Sequence, residues 1–158
     1  MSGQERRTGK IGCARIVWQV WPDPVERIAT FLRASGTEGR LEEVLPGSEA
    51  PPGLALKALS FECDGRNVVG LVPSVRTLDR RKLAAAARCE TLRTDPNSPG
   101  FPFQGALVFL DRSAITASTV WLELEAPRHF LGLAPSQLLR LTRSTTADLL
   151  AENRNGGG

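Results

Sequence analysis

The stretch Leu54-Ala-Leu-Lys-Ala-Leu-Ser-Phe-Glu-Cys-Asp-Gly-Arg-Asn-Val-Val-Gly-Leu-Val-Pro73 decides the fold class. Two short apolar runs, Leu54 to Cys63 and Asn67 to Pro73, flank Asp64-Gly65. That pair tolerates positive φ and suits a tight hairpin turn, so the pattern predicts two antiparallel strands. On the C-terminal side, Asp79 to Arg88 runs through Leu83-Ala-Ala-Ala-Ala87 and predicts a helix. Asp95 to Gly105 holds three prolines and two glycines and is expected to be irregular. Ala106 to Leu110 and Thr119 to Glu125 read as further strands, the second alternating Val120, Leu122 and Leu124 against Trp121, Glu123 and Glu125. A last helix is expected to begin near Ser136.

On the N-terminal side, Asp23-Pro24-Val25-Glu26 is a helix start, with a capping aspartate, a proline at the first helical position and a glutamate at the third. Val25, Ile28, Ala29 and Leu32 follow at helical spacing and Gly36 supplies the stop, so a helix of about twelve residues is expected to bury that stripe. Ile11 to Val20 reads as a strand or an extended entry segment. Pro46 to Gly53, with three prolines and two glycines, reads as a loop joining two parts of one domain. Residues 1–10 and 153–158 are polar or Gly-rich and are expected to be flexible tails around a single domain of residues 11–152. Strands mixed with a few helices, in no regular βαβ order, predict an α/β domain built on a mixed sheet.

Composition narrows the function classes. With 158 residues, 41% apolar and 23% charged, the chain has the make-up of one folded domain. No apolar run reaches the roughly 20 residues of a membrane helix, and the polar start lacks the apolar core of a signal peptide, so a cytoplasmic protein is expected. Cys13, Cys63 and Cys89 stand far apart with no CxxC pair, which predicts reduced, buried thiols and no zinc site. The net charge of +3 fits a phosphate-bearing partner without demanding one.

Three features carry candidate chemistry. Lys57 is embedded in an apolar strand, where its ammonium either snorkels to the rim or meets an anion in a pocket. His129 is the sole histidine, so any Ser-His or Cys-His dyad must use it, and a hydrogen-bonded structural histidine is the competing reading. Gly100-Phe-Pro-Phe-Gln-Gly105 combines glycines that allow close backbone approach with prolines that fix the path. The N–H groups of such a turn hold a carbonyl or oxyanion in some proteins and merely turn the chain in others.

The order of these pieces resembles the YbaK and prolyl-tRNA-synthetase-associated editing-domain family over roughly residues 24–150. Leu56-Lys57-Ala58-Leu59-Ser60-Phe61 is similar to the family's lysine strand, and Leu71-Val72-Pro73 with Leu78 to Ala84 to its second strand and following helix. Gly100-Phe101-Pro102-Phe103 is similar to its glycine and proline-phenylalanine loop, and Val108 to Asp111 to its next strand. Ala126-Pro127-Arg128-His129 and Leu133 to Leu139 are similar to its closing strand and final helix. The resemblance implies a barrel-like mixed sheet packed by several helices. It also implies hydrolysis of the ester between a mischarged amino acid and the 3′ end of tRNA, with tRNA for proline one candidate substrate and a synthetase a further partner.

By the same resemblance Lys57 anchors the tRNA terminus and Gly100 contributes backbone oxyanion stabilisation, with Pro102, Phe103 and Ala126 on the substrate-binding wall. Neither a metal nor another cofactor is implied, and no protein nucleophile. Two stretches depart from the family pattern: Pro99 stands where the first of two loop glycines falls, and Glu125-Ala126 replaces a glycine-rich turn. These departures leave open a catalytically weakened module that binds tRNA, a synthetase or another ligand.

Overall fold

The computed structural model describes residues 6–10, 21–44, 52–95 and 100–152. In chain order the elements begin with strand β1 (Arg6–Lys10), helix α1 (Asp23–Ser35), and strands β2 (Arg40–Val44), β3 (Leu54–Cys63) and β4 (Arg66–Pro73). Helix α2 (Arg80–Ala87), strands β5 (Arg93–Thr94) and β6 (Ala106–Asp111), and a 3-10 turn (Arg112–Thr116) follow. Strands β7 (Val120–Glu123) and β8 (His129–Leu133), helix α3 (Pro135–Thr142) and strand β9 (Thr145–Ala147) complete the chain.

The hairpin forms as its sequence requires. Asp64 and Gly65 adopt φ of 54° and 79°, the paired left-handed conformation whose twist matches two flanking strands. Antiparallel pairing then runs from Cys63 opposite Arg66 to Leu56 opposite Pro73. β4 is buried from Val68 to Pro73 because both its faces are covered. Val69 and Leu71 join the larger core with α1 and α3, while Val68 and Val72 pack beside Leu83 and Ala87 of α2. That double burial explains its continuous apolar run.

All the described strands belong to one mixed sheet in the order β1-β2-β8-β7-β3-β4-β6-β9, with β5 pairing on β3. The β3/β7, β4/β6 and β6/β9 pairs are parallel and the others antiparallel. Leu41, Leu56, Leu71, Leu110, Leu122 and Leu131, from six different strands, meet in a single cluster with Val25 and Leu32 of α1. One face of the sheet therefore wraps a shared core, the barrel-like arrangement the sequence resemblance implied.

The helices obey their local signals with one correction. α1 buries Val25, Ile28, Ala29 and Leu32 and ends at Gly36 with φ 70°. Its N-cap is Pro22 rather than Asp23, which lies in the first turn and makes no capping bond; its charge still favours the positive helix end. Asp79 caps α2 by accepting from the N–H groups of Arg81 at 2.9 Å and Lys82 at 3.4 Å. Lys82 then donates from Nζ to Asp148 at 3.2 Å and to the Leu150 carbonyl at 2.7 Å, tying α2 to the C-terminal segment.

Other expectations change. Residues 6–10, expected as part of a frayed tail, pair in register with β2. The closing strand begins at His129, and Ala126 to Arg128 form the turn before it. Cys63 and Cys89, expected as separate thiols, form a disulfide with their Cα atoms 6.3 Å apart. The hairpin sends the chain into α2, and Arg88, left-handed at φ 57°, turns Cys89 back towards the end of β3. A spacing of 26 residues hides such a pair from motif reading. Cys13, the strand expected over Ile11 to Val20, and most of the loop expected over Pro46 to Gly53 lie outside the described residues. No helix among the described residues is long and apolar enough to cross a membrane.

Candidate functional site: a cavity where two parallel strands part

β3 and β7 run parallel for only three residue pairs, ending at Leu56 opposite Leu122. Further along β3, the same edge is taken up by β5 at Phe61 and Glu62. Between these contacts β3 has no ladder partner on that side among the described strands. Parallel strands that separate at their carboxyl ends leave a crevice between them, the place where α/β sheets admit ligands. A cavity of about 700 Å³ opens there.

Its walls come mainly from four parts of the chain, with Ser74 and Phe130 completing them. β3 contributes Leu56 and Lys57, and α1 contributes Arg27, Ile28 and Phe31. The loop after β5 contributes Gly100 to Gln104, and β7 with its exit contributes Leu122 to Glu125. Because the edge of β3 is open here, consecutive residues from both faces of the strand reach the cavity. The lining is largely apolar with a few charged groups, the usual character of a small-ligand site.

The loop is held rigidly. Phe103 N–H donates to the Gly100 carbonyl at 2.7 Å, and Ala106 N–H donates to the Phe103 carbonyl at 3.1 Å, so two turns follow one another. Phe103 sits at φ 61° and is 5% exposed, packed into the main core. Phe101 contacts Phe31 of α1 edge-on, with ring centroids 6.0 Å apart, and Phe103 in the same manner at 6.1 Å. This aromatic chain packs the loop against the helix on the cavity wall.

Four of the five residues nominated from sequence, Lys57, Gly100, Pro102 and Phe103, meet on this one cavity. Ala126 does not. It is 7% exposed in the core, and its carbonyl accepts from His129 N–H at 3.1 Å. Its neighbour Glu125 lines the cavity instead, so close to the loop that a β-carbon on Gly100 would stand 2.6 Å from Glu125 Oε2. Sequence reading also missed Arg27 and Phe31, whose spacing of four residues beside the apolar stripe of α1 is the signal that they share a helix face.

Two of the cavity's charged groups are free of partners among the described residues. Lys57 and Glu125 each lack a hydrogen bond or ion pair to any other described residue, in contrast to Lys82, which has two bonds. His129 lies away from the cavity, 9% exposed, with Nδ1 3.0 Å from the Pro127 carbonyl and its ring edge-on to Trp21 at 5.8 Å. It is a structural histidine, and no dyad forms with Ser74 on the cavity wall. Among the described residues no group of three or more His, Cys, Asp or Glu gathers as a metal site.

No protein-family profile matches this sequence, and no curated relative does. Solved structures do. One is described as a candidate trans-editing enzyme for prolyl tRNA synthetase, with TM-score 0.70 and 19% identity over 84% of this chain and 100% of the other. Another is a scaffold protein for epitope grafting, with TM-score 0.69 and 19% identity over 84% and 99%. A third, the hypothetical protein APE2540, matches with TM-score 0.66 and 13% identity over 79% and 99%. At such identities the likeness establishes the fold: this chain is a mixed α/β domain with the YbaK-like architecture of those structures.

Proposed function

We propose that this chain is an aminoacyl-tRNA deacylase, hydrolysing the ester that joins an amino acid to the 3′ end of tRNA. The observation that carries the reading is the convergence of Lys57 with the Gly100 to Phe103 loop, more than forty residues apart in sequence, on one cavity. An unpaired ammonium there is suited to a phosphate of the tRNA terminus. A rigid loop supplies fixed N–H donors for the oxyanion that develops as water attacks the ester carbonyl. Phe103 and Ala106 N–H are already bonded inside the loop, so Phe101 and Gln104, which have no bond to a described backbone carbonyl, join Gly100 as donors.

The single histidine lies elsewhere and makes no dyad with Ser74 on the cavity wall, so the proposed hydrolysis draws on no Ser-His pair. Attack by water, assisted by a hydroxyl of the terminal ribose, suits that arrangement. Incubating the protein with a panel of charged tRNAs and measuring release of the amino acid tests the proposal. Turnover of at least one aminoacyl-tRNA is expected, and no turnover of any would refute it.

The position of Glu125 favours a second reading. Its carboxylate crowds the loop where an ester carbonyl would be held, which suits a module that binds a charged tRNA end, or a synthetase, without hydrolysis. Retention of charged tRNA with no ester release in the same assay distinguishes this reading.

A further inference from the structure

The cavity holds two opposite charges that do not neutralise each other. Lys57 and Glu125 both line it, and neither has a hydrogen bond or ion pair to a described residue. A protein that leaves a cation and an anion in one cavity without pairing them presents a surface complementary to a ligand with its own separated charges. Arg27 adds a second exposed cation at the α1 side, and Glu123, the other carboxylate of the cavity, is engaged by accepting from Arg128 N–H at 2.9 Å. The same cavity is lined by the apolar side chains of Leu56, Phe101, Leu122 and Leu124.

We infer that Glu125 recognises the free α-ammonium of the aminoacyl group, so that the site accepts amino acids with an unblocked amine and an uncharged side chain. This rests on the deacylase reading above and specifies its substrate. An aminoacylated terminal adenylate carries one ammonium beside the ester and one phosphate beyond the ribose, which matches an unpaired carboxylate and an unpaired lysine in one cavity. Glu125 lies against Gly100, the first residue of the loop assigned to the ester carbonyl. The α-ammonium is one carbon from that carbonyl, so a carboxylate next to the carbonyl's cradle is within its reach. The negative charge that would repel a bare tRNA end is thereby matched by the positive charge of its amino acid.

The test uses a hydrolysis-resistant ligand, the alanyl amide of 3′-amino-3′-deoxyadenosine 5′-phosphate, and its N-acetyl derivative, with calorimetry on the full chain. Alanine is small enough for any side-chain pocket of this size. Wild-type protein is expected to bind the free amine about five-fold more tightly than the acetylated form, the range of a solvent-exposed charge pair. Glu125→Gln is expected to remove that preference by weakening the free-amine ligand alone. Equal binding of both ligands by wild type, loss of both alike in Glu125→Gln, or binding of neither ligand would overturn the inference. Parallel turnover of alanyl-tRNA and N-acetylalanyl-tRNA separates it from the deacylase reading. Amine-selective binding with no hydrolysis of any charged tRNA leaves the recognition standing and removes the enzyme; hydrolysis indifferent to acetylation does the reverse.

Discussion

Glu125 Oε2 occupies space that a side chain on Gly100 would need, since a β-carbon there would stand 2.6 Å from that oxygen and 3.2 Å from the carboxyl carbon. The conflict is with the end of a flexible, exposed side chain, so Gly100→Ala is expected to move Glu125 rather than unfold the loop. Stability should fall by less than about 1 kcal/mol. Ligand binding should change more, because the carboxylate is displaced from the cavity wall. A cycle of Gly100→Ala, Glu125→Ala and the double variant, read by thermal melts and analogue binding, should show a coupling of at least about 0.5 kcal/mol. Additive effects would mean that the two residues do not touch.

A second glycine is required by a far less forgiving neighbour. A β-carbon on Gly132 would lie 2.6 to 2.9 Å from three ring atoms of Trp121, which is 1% exposed. Trp121 is pinned in turn, donating from Nε1 to the Pro52 carbonyl at 2.7 Å with the Arg40 guanidinium 5.6 Å from its ring centroid. It cannot swing aside. Gly132→Ala is therefore expected to lower stability by about 1–3 kcal/mol through overpacking, visible as a drop of several degrees in Tm. An unchanged Tm would show that the β7/β8 pair has slack the packing does not suggest.

The disulfide between Cys63 and Cys89 closes a loop of 26 residues that contains β4 and α2. Loop-closure entropy puts its contribution at about 3 kcal/mol. Cys89→Ser, or reduction of the wild type, should lower Tm clearly. Neither cysteine lines the cavity. Any deacylase turnover should therefore survive below the new melting point. A folded Cys89→Ser variant without turnover would tie this bond to the site.

The parts of the fold that were legible in sequence share one property: a local rule and the tertiary packing agree. Asp64-Gly65 is a turn in any context, and Val25, Ile28, Ala29 and Leu32 mark a buried helix face wherever the helix docks. β2 escaped notice because Arg40-Leu-Glu-Glu-Val44 reads as surface, yet Glu42 is 2% exposed beside Arg40 at 2.9 Å. Burial of a charge depends on a partner, and nothing in the sequence says that one will be there. The site was half legible for the same reason. Lys57 stood out as a charge within an apolar strand and Gly100 as part of a constrained loop. Their meeting, the place of Arg27 and Phe31 beside them, and the substitution of Glu125 for Ala126 on the wall follow from where β3 and β7 separate, a property of the sheet rather than of any segment.

Lys57 is where function and structure make opposite demands, so it gives the sharpest test of the site. A lysine that stabilised the fold would hold a partner, as Lys82 holds Asp148 and the Leu150 carbonyl. Lys57 holds none among the described residues and lines the cavity. Lys57→Ala is therefore expected to change stability by no more than about 0.5 kcal/mol, as for a side chain without structural partners. If the ammonium meets a phosphate of the tRNA terminus, the same variant loses a charge-assisted contact, and tRNA binding or turnover should fall at least about ten-fold. Lys57→Arg should also be impaired, because a planar fork does not replace a compact point charge beside Leu56 and the loop. Retained turnover in Lys57→Ala with an unchanged melting curve would remove Lys57 from the site. Since its convergence with Gly100 carries the deacylase reading, that result would remove most of the support for the reading as well.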